Sequence, residues 1–138
     1  MSLLLPDTNT LSYILKNQPP VPARLAEAVD QGHSFLLASV AHYELTRYLH
    51  LKGADRLLRL YRQLTASWQR CEPSFEDWNE AAQLWAERHR VGQGVSDPDL
   101  LLAVLARRWN ATLVTANTRH FAGLGVTLED WTLTPPAP

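Results

Sequence analysis

The sequence lacks the features of a disulfide-bonded or membrane-spanning protein. Its 138 residues include one cysteine, Cys71, which excludes an internal disulfide and a cysteine-rich zinc site and favours a reducing, cytoplasmic setting. The longest uninterrupted apolar run, residues 100–106, is much too short to span a bilayer. The apolar residues 3–5 are followed at once by Pro6 and Asp7, so no signal peptide is expected. A chain of this length can bury a core without staples and is expected to form a single domain over 1–138, with a flexible tail over 131–138.

Excess charge is also lacking, since the formal net charge is −1. The distribution is more informative. Residues 45–70 contain six basic side chains and one acid, whereas residues 72–99 contain seven acids and two arginines. Two solvated helix faces explain this pattern, but a nuclease that binds phosphates with cations and a metal ion with carboxylates also has it.

Hydrophobic periodicity predicts strands that alternate with helices along the chain. This order predicts an α/β fold with a mainly parallel central sheet of about four to five strands flanked by helices. Ser39 and Asp97 are expected to cap the helices that follow them, with Pro98 in the first helical position. The predicted strands are 3–7, 34–38, 111–115 and 126–128, and the predicted helices are 8–16, 21–30, 39–51, 54–68, one beginning near 73–74, 100–109 and 117–121.

Four polar side chains fall where a parallel sheet places its functional site, beyond the carboxyl ends of its strands. Asp7 and Asn117 follow two predicted strands, Glu44 lies on the edge of an apolar helix stripe, and Asp99 opens an apolar helix. Each has an ordinary structural explanation: Asp7 and Asn117 as helix caps, Glu44 in a salt bridge with Arg47, and Asp99 at the positive end of a helix dipole. Together they predict one cluster. Grouped carboxylates repel unless a cation neutralises them, and oxygen ligands suit Mg²⁺ or Mn²⁺.

Four stretches in the same order resemble the motifs of PIN domains, in particular the VapC-type toxin ribonucleases of VapBC toxin–antitoxin systems. Pro6-Asp7-Thr8-Asn9 resembles the Asp-Thr-Asn opening at a strand end. Residues 38–45 resemble the strand and helix start that lead to a Glu, here Glu44. Residues 99–106 resemble an Asp that opens an apolar helix, and residues 113–121 resemble the strand–Thr–x–Asn–x–x–x–Phe closing motif.

The resemblance implies a three-layer PIN fold and an Mg²⁺-dependent endoribonuclease whose substrate is RNA, including structured RNA such as tRNA. It also implies a VapB-type antitoxin as partner, and a homodimer. It implies metal binding by Asp7, Glu44 and Asp99, with Asn117 completing the catalytic set. Supporting candidates are Asp97, Thr8, Asn9, Thr115 and His120, and RNA-binding candidates are Arg47, Arg56, Arg59, Arg62 and Arg119.

One departure from the family pattern leaves alternatives open. Many relatives carry a fourth acid in the last motif, where this chain has the amide Asn117 and, nearby, His120. The metal count, one or two, therefore stays open. The alternatives are a PIN-like nuclease for RNA processing or for DNA, and a degenerate module that binds nucleic acid or protein without cutting it.

An aromatic stripe formed by Phe75, Trp78 and Trp85 lies at helical spacing. Burial in the core is the simplest expectation for these side chains. A homodimer face or a groove for an antitoxin helix is the alternative.

Overall fold

The computed structural model describes residues 2–134, in which parallel strands alternate with helices. The strands are β1 (Leu3–Pro6), β2 (Ser34–Ala38), β3 (Gln69–Cys71), β4 (Thr112–Val114) and β5 (Thr127–Glu129). The helices are α1 (Thr8–Leu15), α2 (Val21–Asp30), α3 (Ser39–Leu51), α4 (Asp55–Thr65), α5 (Phe75–Arg90), α6 (Asp97–Arg108) and α7 (Thr118–Phe121).

The five strands form one sheet in the order β3-β2-β1-β4-β5, and every neighbouring pair is parallel. The prediction of an α/β fold around a central, mainly parallel sheet is confirmed. β1 and β2 are short continuous apolar runs because helices cover both faces of the sheet.

The register brings distant parts of the chain together at the carboxyl edge of the sheet. Pro6 at the end of β1 is paired with Val114 at the end of β4, and Ala38 at the end of β2 is paired with Cys71 at the end of β3. The residues that follow these strands therefore start from the same edge.

Helix α6 is the most deeply packed helix of the fold. All of its residues from Leu100 to Ala106 are buried, some against the sheet and others against α5. Its apolar stretch is thus a core helix, and within residues 2–134 no helix is long and apolar enough to cross a membrane.

Some expected details were wrong. The short strand β3 was not predicted, and it begins directly after the predicted helix 54–68. Ser39 is the first residue of α3, and the preceding Ala38 occupies the cap position without a side-chain hydrogen bond. The Ser96 hydroxyl accepts from the backbone N–H of Asp99, so Ser96 caps α6 and Asp97 already belongs to its first turn.

Residues 131–134, which were expected in a flexible tail, contact the rest of the fold. Trp131 is 1% exposed, packs on Val21 and Val114 in a core cluster, and donates its indole N–H to Glu129. Arg24 also binds the carbonyl oxygen of Leu133 at 2.7 Å. Residues 135–138 of the expected tail lie outside the described residues.

The aromatic stripe of α5 is not part of the core. Phe75, Trp78 and Trp85 are 80%, 54% and 45% exposed. The face that α5 buries instead carries Asp77 and Ala81, roughly 100° around the helix from the stripe by helical geometry. Burial is favoured on that face because Asp77 forms an ion pair with Arg108 of α6.

Candidate active site

Asp7 stands at the centre of the carboxyl edge and is only 5% exposed. It caps α1, since its Oδ1 accepts a 2.8 Å hydrogen bond from the backbone N–H of Thr10. The Thr10 hydroxyl in turn donates to the Val114 carbonyl at 3.0 Å, and that same carbonyl accepts from the N–H of Asp7. Thr10 thus ties Asp7 to the end of β4. The only sequence signal for this role of Thr10 is its position three residues after Asp7, an acid that can cap a helix.

Burial raises the pKa of Asp7 above its ordinary value. Hydrogen bonds from Thr115 and Thr10 act in the opposite direction, and the nearby charge of Asp99 raises the pKa further. Among residues 2–134, no lysine, arginine or histidine forms an ion pair with Asp7. The structure therefore holds a buried carboxyl group close to a second acid without a neutralising cation.

Glu44 reaches the same edge from α3. Its Oε1 accepts a 2.8 Å hydrogen bond from the hydroxyl of Thr8, the residue next to Asp7. The salt bridge with Arg47 considered from the sequence does not form. Arg47 instead lies over the ring of Tyr43, 5.0 Å from its centroid.

Asp99 is held in the first turn of α6, and its side chain is 24% exposed. Its Oδ2 lies 3.5 Å from Nδ1 of His120 on α7. His120, which was predicted only as a supporting residue, thus lies beside Asp99. Asp7, Glu44 and Asp99 are called the acidic cluster below. Asp97 is exposed and lines a groove with Trp78 and Trp85, and no hydrogen bond or ion pair joins it to the cluster within the described chain.

The remaining candidates lie near the cluster without all taking part in it. Thr115 is fully buried and its side chain hydrogen-bonds Asp7. The backbone N–H of Asn117 donates to the Thr115 hydroxyl at 3.0 Å, while the amide side chain of Asn117 makes no capping bond to α7. Asn9 is exposed on α1. The role predicted for the Asn117 amide stays a prediction.

The donors around Asp7 fit a hard divalent cation in kind. Asp7, Glu44 and Asp99 supply only carboxylate oxygens, which Mg²⁺ and Mn²⁺ prefer. In spacing they fit less well, because within residues 2–134 no three His, Cys, Asp or Glu side chains are grouped closely enough to hold a metal ion as they stand. Glu44 is hydrogen-bonded to Thr8 rather than to the other acids. Binding of a cation thus requires these side chains to draw together.

This arrangement has a counterpart among known proteins. Residues 4–125 match the family model described as PIN domain. The chain belongs to the PIN domain family. No curated protein sequence matches it.

Solved structures share the fold of this PIN domain. A chain of VapBC2 from Rickettsia felis, bound to a DNA fragment from their promoter, has a TM-score of 0.81 and 22% identity and covers 94% of this chain and 98% of its own. For VapBC-1 from nontypeable Haemophilus influenzae the values are 0.76 and 24%, with 95% and 99% covered. DNA-bound VapBC from Salmonella typhimurium gives 0.75 and 24%, again with 95% and 99% covered. At these identities the likeness establishes the fold.

Proposed function

We propose that this PIN domain is a metal-dependent endoribonuclease, with Mg²⁺ or Mn²⁺ as cofactor, and the toxin of a VapBC-type toxin–antitoxin pair. The observation that carries the proposal is the buried Asp7 carboxyl group, which lies near Asp99 and has no cationic partner among residues 2–134. Repulsion between two nearby carboxylates lowers the stability of the folded chain. A divalent cation bound between the carboxylates would remove their mutual repulsion, and the same cation can serve catalysis in a nuclease.

In this proposal Asp7, Glu44 and Asp99 hold the cation. The cation, when bound, supplies an activated water and stabilises negative charge on the phosphodiester. Thr8 positions Glu44 through its 2.8 Å hydrogen bond, and Thr115 positions Asp7. His120 orients Asp99 from the solvent side, since His120 is largely exposed and its Nδ1 lies 3.5 Å from the carboxylate. Asn117 and Asp97 remain supporting candidates.

Exposed arginines would position the RNA backbone without reading its sequence. Those proposed from the sequence are all exposed in the structure, on α3, α4 and α7: Arg47, Arg56, Arg59, Arg62 and Arg119. Structured RNA such as tRNA is the substrate class that the VapC resemblance suggests.

Partners are proposed on two grounds. Relatives of the same fold were solved as VapBC pairs, and one as a toxin-antitoxin complex from Klebsiella pneumoniae. The exposed stripe of Phe75, Trp78 and Trp85 is an apolar surface of the kind that protein partners cover. We therefore propose a VapB-type antitoxin and a homodimer as assemblies of this chain. A cytoplasmic location follows from this role and agrees with the single buried thiol of Cys71.

Cleavage of total RNA and of tRNA by the purified full chain tests the proposed activity. With Mg²⁺ or Mn²⁺ we expect discrete fragments, which are lost in EDTA and in Asp99→Asn. Cleavage of single-stranded or duplex DNA in preference to RNA would instead support a DNA nuclease. Binding of RNA without cleavage under any metal condition would support the degenerate binding module, which the incomplete grouping of acids favours.

A further inference from the structure

A cavity with several polar side chains in its lining opens at the carboxyl edge of the sheet, on the other flank of α3 from Glu44. It has a volume of about 410 Å³, within the ~300–1,000 Å³ that ligand sites usually have. It lies at the ends of β2 and β3, where Leu37 and Cys71 form its apolar floor. Since neighbouring strands are about 4.8 Å apart, the end of β3 is roughly 10 Å from the end of β1 and hence from Asp7.

The polar side chains of this cavity are mostly cations and hydrogen-bond donors. Arg62 and Arg70 line it, and neither forms an ion pair within residues 2–134. Glu72 is the one acid in the lining, and the two guanidinium groups outnumber it. Two unpaired cations at a concave site favour an anionic ligand.

Two neutral groups are fixed beside these cations. The Tyr61 hydroxyl and Nδ1 of His42 are 2.6 Å apart, and their rings stack with centroids 5.6 Å apart. Burial raises the pKa of Tyr61 to about 12, although the charge of Arg70 acts in the opposite direction, so the hydroxyl keeps its proton at neutral pH. The influence of Arg70 on Tyr61 also places its charge close to this pair.

The start of α3 adds further donors to the same wall. Ser39 is the first residue of α3 and lines the cavity. Ala38 in the cap position gives no side-chain acceptor, so the first-turn N–H groups keep their capacity to bind an anion. His42 lies on this flank of α3. Glu44, two residues on, projects roughly 200° away toward Thr8 and the acidic cluster.

We infer that this cavity binds a phosphodiester group of the RNA strand whose neighbouring segment reaches the acidic cluster across the start of α3. The inference rests on the proposed ribonuclease function. A polyanion is favoured over a single carboxylate because the cations continue along α4, where Arg56, Arg59 and Arg62 are spaced one turn apart. RNA is favoured over other polyanions because the cavity and the acids share one edge of the sheet.

The test measures binding of a fluorescein-labelled, mixed-sequence single-stranded RNA to the full chain in EDTA, where a metal-dependent enzyme cannot cut. The variant is Arg62→Gln with Arg70→Gln. The matched control, Lys52→Gln with Arg90→Gln, removes the same charge from exposed positions outside the cavity. We expect Kd to rise about 10-fold in the cavity variant and less than about 3-fold in the control, and the salt dependence of log Kd to fall by about 1–2 in slope only in the former.

Inorganic phosphate is the second probe. In ¹H–¹⁵N spectra it is expected to shift the amide signals of Ser39 and Val40 in the unaltered chain and not in the cavity variant. Equal weakening of RNA binding by the two double variants would overturn the inference, as would an absence of RNA binding or of these phosphate shifts.

These outcomes are separable from a failure of the proposed function. If the unaltered chain binds RNA through this cavity but never cuts it with Mg²⁺ or Mn²⁺, the inference stands and the ribonuclease proposal fails. If the chain cuts RNA and the cavity variant behaves like the control in KM, the ribonuclease proposal stands and the inference fails.

Discussion

The hydroxyl of Thr8 donates a 2.8 Å hydrogen bond to Oε1 of Glu44 and so joins the start of α1 to the middle of α3. This bond fixes one proposed metal ligand from the residue next to another. Groups that orient metal ligands typically contribute 10- to 100-fold to metal affinity or activity.

Thr8→Val, which keeps the shape and loses the donor, is therefore expected to lower kcat for RNA cleavage by about 10-fold or more. Thr8→Ser should restore most of the rate because it restores the hydroxyl. The check is steady-state cleavage by both variants, with the Mg²⁺ concentration for half-maximal rate as a second readout. Equal rates for Thr8→Val and the unaltered chain would show that the bond has no role in catalysis.

Asp7→Asn is expected to raise stability while it abolishes activity. Because burial raises the pKa of Asp7, the folded state holds this proton more tightly than the unfolded state. The resulting stabilisation is complete below the unfolded pKa and is lost as pH rises through the folded pKa. At neutral pH the charged carboxylate is therefore a cost, which asparagine avoids while it still caps α1.

The measurement is the Tm of both proteins in EDTA across a pH series. We expect Asp7→Asn to melt a few degrees higher at neutral pH, with the difference shrinking as pH falls toward about 3. A lower Tm for Asp7→Asn at neutral pH would mean that the hydrogen bonds to the Asp7 carboxylate stabilise the fold by more than the burial of its charge destabilises it.

Metal binding is expected to stabilise the folded chain. A ligand that binds only the native state adds about 2.7 kcal/mol at 100 times its Kd. Addition of Mg²⁺ or Mn²⁺ to the metal-free protein should thus raise its Tm, and Asp99→Asn should abolish most of the increase. A matched control is Asp30→Asn, since Asp30 is exposed at the end of α2, before β2 begins, and should leave the increase intact. An equal increase in Asp99→Asn would remove Asp99 from the metal site.

Two adjacent arginines of α6 should differ sharply in their contributions to stability. Nε of Arg108 lies 2.8 Å from Oδ2 of Asp77, whose side chain is 3% exposed. Arg107 binds Glu80 at a similar distance, but both of those side chains are more than a third exposed. Arg108→Gln leaves the buried Asp77 carboxylate without its cation, whereas Arg107→Gln removes only a solvent-screened pair.

Urea unfolding should show a loss of about 2 kcal/mol for Arg108→Gln and less than about 1 kcal/mol for Arg107→Gln. Similar losses for the two variants would show that burial of Asp77 does not set the strength of its ion pair.

Much of this fold is readable from local patterns, and the exceptions have physical causes. β1, β2 and β4 are apolar runs that precede polar residues, so the sheet and its carboxyl edge follow from the sequence. β3 cannot be predicted from hydrophobicity because it is a three-residue edge strand, Gln69-Arg70-Cys71, with two exposed polar side chains. Its strand conformation depends on pairing with β2, which no local pattern records.

The sequence suggests members of the candidate site but not their contacts. The strand-end rule and the family motifs predict Asp7, Glu44 and Asp99 as site residues, whereas the bond from Thr8 to Glu44 depends on how α1 and α3 pack. The stripe of Phe75, Trp78 and Trp85 shows the converse limit. Periodicity identifies an apolar face of a helix, but it does not show whether that face packs against the rest of the chain. In α5 a different face, which carries Asp77, is buried.

The pairing of Pro6 with Val114 has a consequence for the order of events during synthesis. Asp7 is made before its neighbours Asp99 and Thr115, which lie more than ninety residues further along the chain. A chain made only as far as β3 thus has no assembled centre, because β4 has not yet paired with β1. In the proposed ribonuclease, this topology would withhold the activity until β4 has emerged and paired with β1.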